Sequence, residues 1–162
     1  MKRVLALILG ILLLTGCSTA ETYELVTDEL DVPVAVQPKE IHFFLAEETV
    51  MPVMESDEGK LYLCGEYDVM SQILEGGDLN KSVQKISGYL PEELTMIQTG
   101  SGEVDRYEFV WTGSSDEGQM ICRATLLDDG EYHYVLSATV QADRIEEYQE
   151  IWNGIFESFE LV

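Results

Sequence analysis

Few side chains in this 162-residue chain could do chemistry. There are two histidines, His42 in "IHFFL" and His133 in "EYHYV". Both lie in stretches whose patterning predicts strands. His133 shares a strand face with Glu131, Val135 and Ser137, the setting of an isolated histidine that is exposed or hydrogen-bonded. Nucleophilic catalysis needs a serine or thiol in an activated setting, and the chain has no G-x-S-x-G. Gly113-Ser114-Ser115 runs straight into Asp116-Glu117, which predicts a solvated loop. H-E-x-x-H and paired C-x-x-C are missing, so zinc hydrolysis has no support. Gly100-Ser101-Gly102 reads as a turn and not as a phosphate cradle. The acidic pairs Asp116-Glu117 and Asp128-Asp129 invite calcium, but neither follows EF-hand spacing. Carboxylate pairs for glycoside hydrolysis are defined by their separation in space, which a sequence does not carry. No catalytic residue, cofactor or metal site is expected.

The cysteines carry more. Lys2 and Arg3 precede an apolar run, Val4 to Leu14, broken by Gly10. At ~1.5 Å per residue that run covers about half of a ~30 Å hydrocarbon core. It is too short to span a bilayer and suits a signal-peptide core. Leu14-Thr15-Gly16-Cys17 follows, and it resembles the lipobox of bacterial lipoproteins. The resemblance implies that the Cys17 thiol takes a diacylglyceryl group and that cleavage before Cys17 makes it the first mature residue. Two acyl chains at one residue meet the two-signal requirement for stable anchoring. That leaves Cys64 and Cys122, an even number in a chain expected outside the cytoplasm. They could be bridged, closing a loop worth up to about 4 kcal/mol, or could be two buried thiols.

Loss of residues 1–16 removes two of the nine basic residues and none of the 31 acidic ones, for a mature charge of about −24. Such a field repels nucleic-acid phosphates and anionic headgroups, so no nucleic-acid partner is expected. A cationic ligand or a basic protein face is compatible with it; acidity also simply keeps a domain soluble. Residues 17–39 read as the lipidated cysteine and an acidic tether, stiffened by Pro33 and Pro38. Residues 40–162 form one globular domain, long enough to bury a core.

Within that domain the hydrophobic period is mostly two. Strands are predicted at Ile41–Leu45, at Val50–Met54 (an edge position, given Pro52) and as one long element over Lys60–Leu74. Asp78 is a good N-cap, Leu79, Val83 and Ile86 follow on one helical face, and Gly88 can stop the helix. After it come "LTMIQT", Val104–Thr112, Gln119–Leu127 and Glu131–Val140, with Asp128-Asp129-Gly130 as a hairpin turn. Along Val104–Thr112, Tyr107, Phe109 and Trp111 share one face, and Arg106, Glu108 and Val110 the other. Ile145, Tyr148, Trp152, Ile155, Phe156 and Phe159 make the apolar stripe of a closing helix.

The expected class is α+β, an antiparallel meander of about five or six strands with a mid-chain helix and a C-terminal helix packed on it. "YEFVW", "MICRATLLDDGEYHYVLSATV" and a helix ending "WNGIFESFEL" look like the α/β/α sandwich of PsbP and Mog1 type domains. That resemblance implies a non-catalytic binding or assembly-factor fold, though fold alone does not set function. The expectation is a lipid-anchored module on the extracytoplasmic face of the cell membrane, binding an envelope protein or a cationic ligand. The alternative is a cell-envelope hydrolase with a site assembled in space. An enzyme should show a pocket holding His42 or His133 beside acids of shifted pKa, and a binding module an aromatic-lined groove or flat patch.

Overall fold

The computed structural model describes residues 35–45, 52–57 and 59–162. Cys17 and most of the acidic tether lie outside the described residues. The strands are β1 (Ile41–His42), β2 (Pro52–Ser56), β3 (Gly59–Leu63), β4 (Tyr67–Glu75), β5 (Thr95–Gly100), β6 (Asp105–Ser115), β7 (Gly118–Asp128), β8 (Tyr132–Gln141) and β9 (Glu160–Leu161). The helices are α1 (Leu79–Ser87) and α2 (Ile145–Glu157). Among the described residues, β2 to β8 form one antiparallel sheet in the order β2-β3-β4-β8-β7-β6-β5, and β1 pairs with β9 in a separate ribbon.

The sheet has seven strands, more than the five or six expected, and it is not a simple meander. The long strand expected over Lys60–Leu74 is the β3–β4 hairpin. Gly65, at φ +82°, supplies the left-handed residue of its turn, and the Cys64 amide donates to the Tyr67 carbonyl at 2.9 Å. The apolar run continues through this reversal, so its pattern does not mark it. The loop expected over Gly113–Gly118 shrinks to Asp116 and Glu117, with Ser115 opposite Gly118. The β2–β3–β4 and β5–β6–β7–β8 units meet at β4 and β8, which pair from Tyr67–Val140 to Glu75–Tyr132.

The helices lie on opposite faces. Asp78 accepts from the Lys81 amide at 3.2 Å at the start of α1, and Gly88 ends it at φ +80°. Val83 of α1 packs on Phe109, Ala124, Leu126 and Val135. On the other face Trp152, Ile155 and Phe156 of α2 pack on Leu127, Tyr134, Leu136 and Val140. Strand β8 is therefore buried on both sides, the mark of a sheet covered by two layers.

The chain enters along the β7–β8 turn. Tyr132 donates its hydroxyl to the Val36 carbonyl at 2.7 Å, and the Lys39 amide donates to the Tyr134 hydroxyl at 2.9 Å. Lys39 Nζ lies 3.5 Å from Asp129.

Candidate binding cleft

Helix α2 covers the centre of its sheet face and stops short of β5 and β6. Strand alternation leaves Thr95 and Ile97 of β5, and Glu108 and Val110 of β6, facing the uncovered side. The result is a cleft of about 490 Å³, walled by Ile97, Val110, Ile121, Ile145, Gln149 and Trp152. Ile97 and Val110 are 58% and 48% exposed, two branched apolar side chains diagonal to each other on the same face of the β5–β6 pair. Trp152 is only 2% exposed, yet its indole Nε1 has no hydrogen-bond partner among the described residues.

The charged groups by the cleft are already paired. Arg123, on β7, donates to Asn153 Oδ1 of α2 at 2.6 Å and to Glu108 Oε2 at 3.0 Å, and its guanidinium lies 4.6 Å from the centre of the Phe156 ring. Arg106 donates to the Phe156 and Phe159 carbonyls at 2.6 and 3.2 Å, closing the C-terminal end of α2. These contacts fix the helix to the sheet and hold the cleft open. They leave apolar contact and the backbone edge of β5 as the means of recognition.

A second constellation lies on the α1 face. Ser82 Oγ is 2.7 Å from His133 Nδ1, and His133 Nε2 is 3.3 Å from Asp128 Oδ2, poorly aligned for a hydrogen bond. Helix, strand and turn thus bring together serine, histidine and aspartate without any local motif, so no spacing in the sequence marks them. His133 is fully buried and hydrogen-bonded within its strand setting. A recess of about 480 Å³ bounded by Leu74, Gly76, Lys81 and Lys85 reaches Ser82. Ser82 is itself buried, and its amide donates within α1 to the Asp78 carbonyl at 3.2 Å. Attack on a carbonyl would need an exposed Oγ and free amide donors for the oxyanion. The observed geometry ties α1 to β8.

The other singled-out residues are dispersed. His42 is exposed on β1, 3.4 Å from Glu160 and edge-on to Phe44. Cys64 and Cys122 are free thiols. Cys64 packs on the α2 side, whereas Cys122 lies on the α1 side, where the Thr139 hydroxyl donates to its sulfur at 3.5 Å. Strands β4 and β8 stand between them, so their strands are separated by roughly 14 Å, at ~4.8 Å per strand. A disulfide needs Cα atoms within about 7 Å. Burial pushes the Cys64 thiol up to about 11, with a further push from the Asp68 carboxylate, and burial raises Cys122 as well.

The acidic turns use their carboxylates locally. Asp128 accepts from the Gly130 amide at 2.8 Å. Asp129 accepts from the Tyr132 amide at 2.8 Å, the Glu131 amide at 3.1 Å and the Tyr134 hydroxyl at 2.9 Å. Burial alone would raise the Asp129 carboxyl; these hydrogen bonds and Lys39 outweigh it and hold the group below the ordinary carboxylate value. Glu117 accepts from the Gln141 side chain at 3.1 Å.

Comparison with known proteins places the fold. No family model matches the chain, and no curated protein sequence matches it. Among solved structures, LpqN of Mycobacterium tuberculosis, described as involved in cell envelope biogenesis, superposes with TM-score 0.51 at 12% identity. The match covers 79% of this chain and 87% of LpqN. Cyanobacterial PsbP from Synechocystis sp. PCC 6803 superposes with TM-score 0.52 at 9% identity, over 83% of this chain and 99% of that one. The chain is an α+β domain with the PsbP-like fold. At these identities the likeness is one of fold. No helix among the described residues is long and apolar enough to cross a membrane.

Proposed function

We propose that this protein is a lipid-anchored accessory module, held by Cys17 on the extracytoplasmic face of the cell membrane, and that it binds a partner without catalysing a reaction. The cleft between α2 and the β5–β6 edge carries the reading. It exposes Ile97 and Val110 on one sheet face, diagonal to each other across the β5–β6 pair, with buried Trp152 in its wall. Exposed apolar surface in a concave setting marks an interaction site. The role described for LpqN in envelope biogenesis is in keeping with this reading. The test is a photo-reactive residue placed at Val110, or at Met54 on the opposite sheet edge, in the full chain in its own cells. Discrete adducts in the membrane fraction are expected from Val110 only, and they should be lost with Cys17→Ala. Equal adducts at both positions, or none at Val110, contradict the reading.

The Ser82–His133–Asp128 constellation favours a second reading, a hydrolase opening through the recess at Ser82. An acyl-serine adduct at Ser82 with a fluorophosphonate probe would support it. Unlabelled Ser82 favours the structural role argued above.

A further inference from the structure

The two edges of the main sheet are built differently. On β2, Pro52 lacks an amide donor, the register shifts between Pro52 and Met54, and Glu55 pairs with Lys60 at 3.0 Å. Proline, irregularity and charge are the devices that block strand addition. Strand β5 reads Thr-Met-Ile-Gln-Thr-Gly, with no proline and no charge. It pairs with β6 alone among the described residues, and its register stays regular from Thr95 to Gln98. Alternate amides and carbonyls there point outward with no partner strand among the described residues. The cleft lies directly beside this edge, with Ile97 facing it. A strand added ~4.8 Å outboard of β5 would bring every second side chain alongside Ile97.

The surroundings select the partner. Exposed Glu92 and Glu93 stand before β5 and exposed Glu103 after it. The whole chain carries −22. Pairing with a second copy would set two such acidic rims together, whereas basic flanks would neutralise them. We propose that β5 is a docking edge to which a partner protein adds an extended segment as an eighth strand, with apolar side chains at alternate positions entering the cleft and lysine or arginine flanking them. This rests on the cleft reading above and names its partner class. The contacts are those of strand addition: main-chain hydrogen bonds for affinity and alternate pockets for specificity.

The full-length chain in zwitterionic nanodiscs can be tested with the peptide Lys-Lys-Val-Thr-Val-Thr-Val-Lys-Lys, using hydrogen exchange and fluorescence anisotropy. Binding should slow exchange across Thr95–Gly100. It should weaken about tenfold or more with Ile97→Lys, an exposed position where a charge blunts the edge. The same peptide N-methylated at alternate residues should not bind, a control that requires no variant to fold. Protection elsewhere, or equal binding by the methylated peptide, overturns the proposal. Protection of β5 by self-association of the chain alone overturns the choice of a basic partner. If Val110 gives cellular adducts but no peptide protects β5, strand addition falls and the cleft reading stands. If neither occurs, both fall.

Discussion

Trp152 serves the core and the cleft at once. It is almost fully buried against the sheet, as its place in the α2 stripe implies, and it also lines the cleft. Trp152→Ala should cost ~3–5 kcal/mol, a large part of a typical stability of about 5–15 kcal/mol. Trp152→Phe keeps most of the ring and removes the unpaired donor, so its loss should be clearly smaller in the same denaturant titration. Asp129 gives a pH-dependent prediction. Its carboxyl is held below the ordinary value in the folded chain, so its contribution is present above about pH 4 and is lost as pH falls through the lower folded value. The Tm gap between wild type and Asp129→Asn should therefore be widest near neutrality and shrink below about pH 4. Equal gaps at pH 7 and pH 3 would contradict this. For Cys17, the lipobox resemblance predicts that Cys17→Ala abolishes palmitate labelling and leaves a longer precursor; unchanged labelling and mass would refute it.

At the scale of elements, local chemistry was legible and long-range pairing was not. Asp78 and Gly88 bound α1 through short-range capping, and the Ile145–Phe159 stripe marks α2 by its period. The aromatic face of β6 follows from alternation in the same way. The β3–β4 reversal was hidden because Cys64-Gly65-Glu66 interrupts an apolar run with a single turn residue. That β4 pairs with β8 and not with β5 depends on contacts about 60 residues apart, which no local pattern encodes. One of these junctions can be probed. A Cβ on Gly76 would lie 2.7 Å from the Glu131 backbone, where Gly76 donates its amide to the Glu131 carbonyl at 2.9 Å. Backbone cannot move aside as a side-chain tip can. Gly76→Ala should therefore cost ~1–3 kcal/mol, read as a lower denaturation midpoint.

For the whole molecule, the sheet's asymmetry matters more than any single side chain. Both faces of the central strands are covered, β2 is blunted, and, among the described residues, β5 with its cleft is left open. The Arg106, Glu108 and Val110 face of β6 was readable in the sequence; that Arg123 and Asn153 would meet it and brace α2 beside an open edge was not, since that takes β7 and α2 in place. The Ser82–His133 contact was invisible for the same reason. The high negative charge was plain, while the placement of Glu92, Glu93 and Glu103 around one exposed edge needed the strand order.

In the cell, the β5–β6 side of the α2 cleft should be covered by the proposed partner. Single cysteines at Val110 and at Met54 can be labelled with a membrane-impermeant maleimide, in whole cells and in the purified full chain. Half-buried Cys64 and buried Cys122, both with raised pKa, should contribute little background. Val110→Cys should label several-fold more slowly in cells than in the purified chain, and Met54→Cys at the same rate in both. Equal rates for Val110→Cys in both settings would contradict the claim.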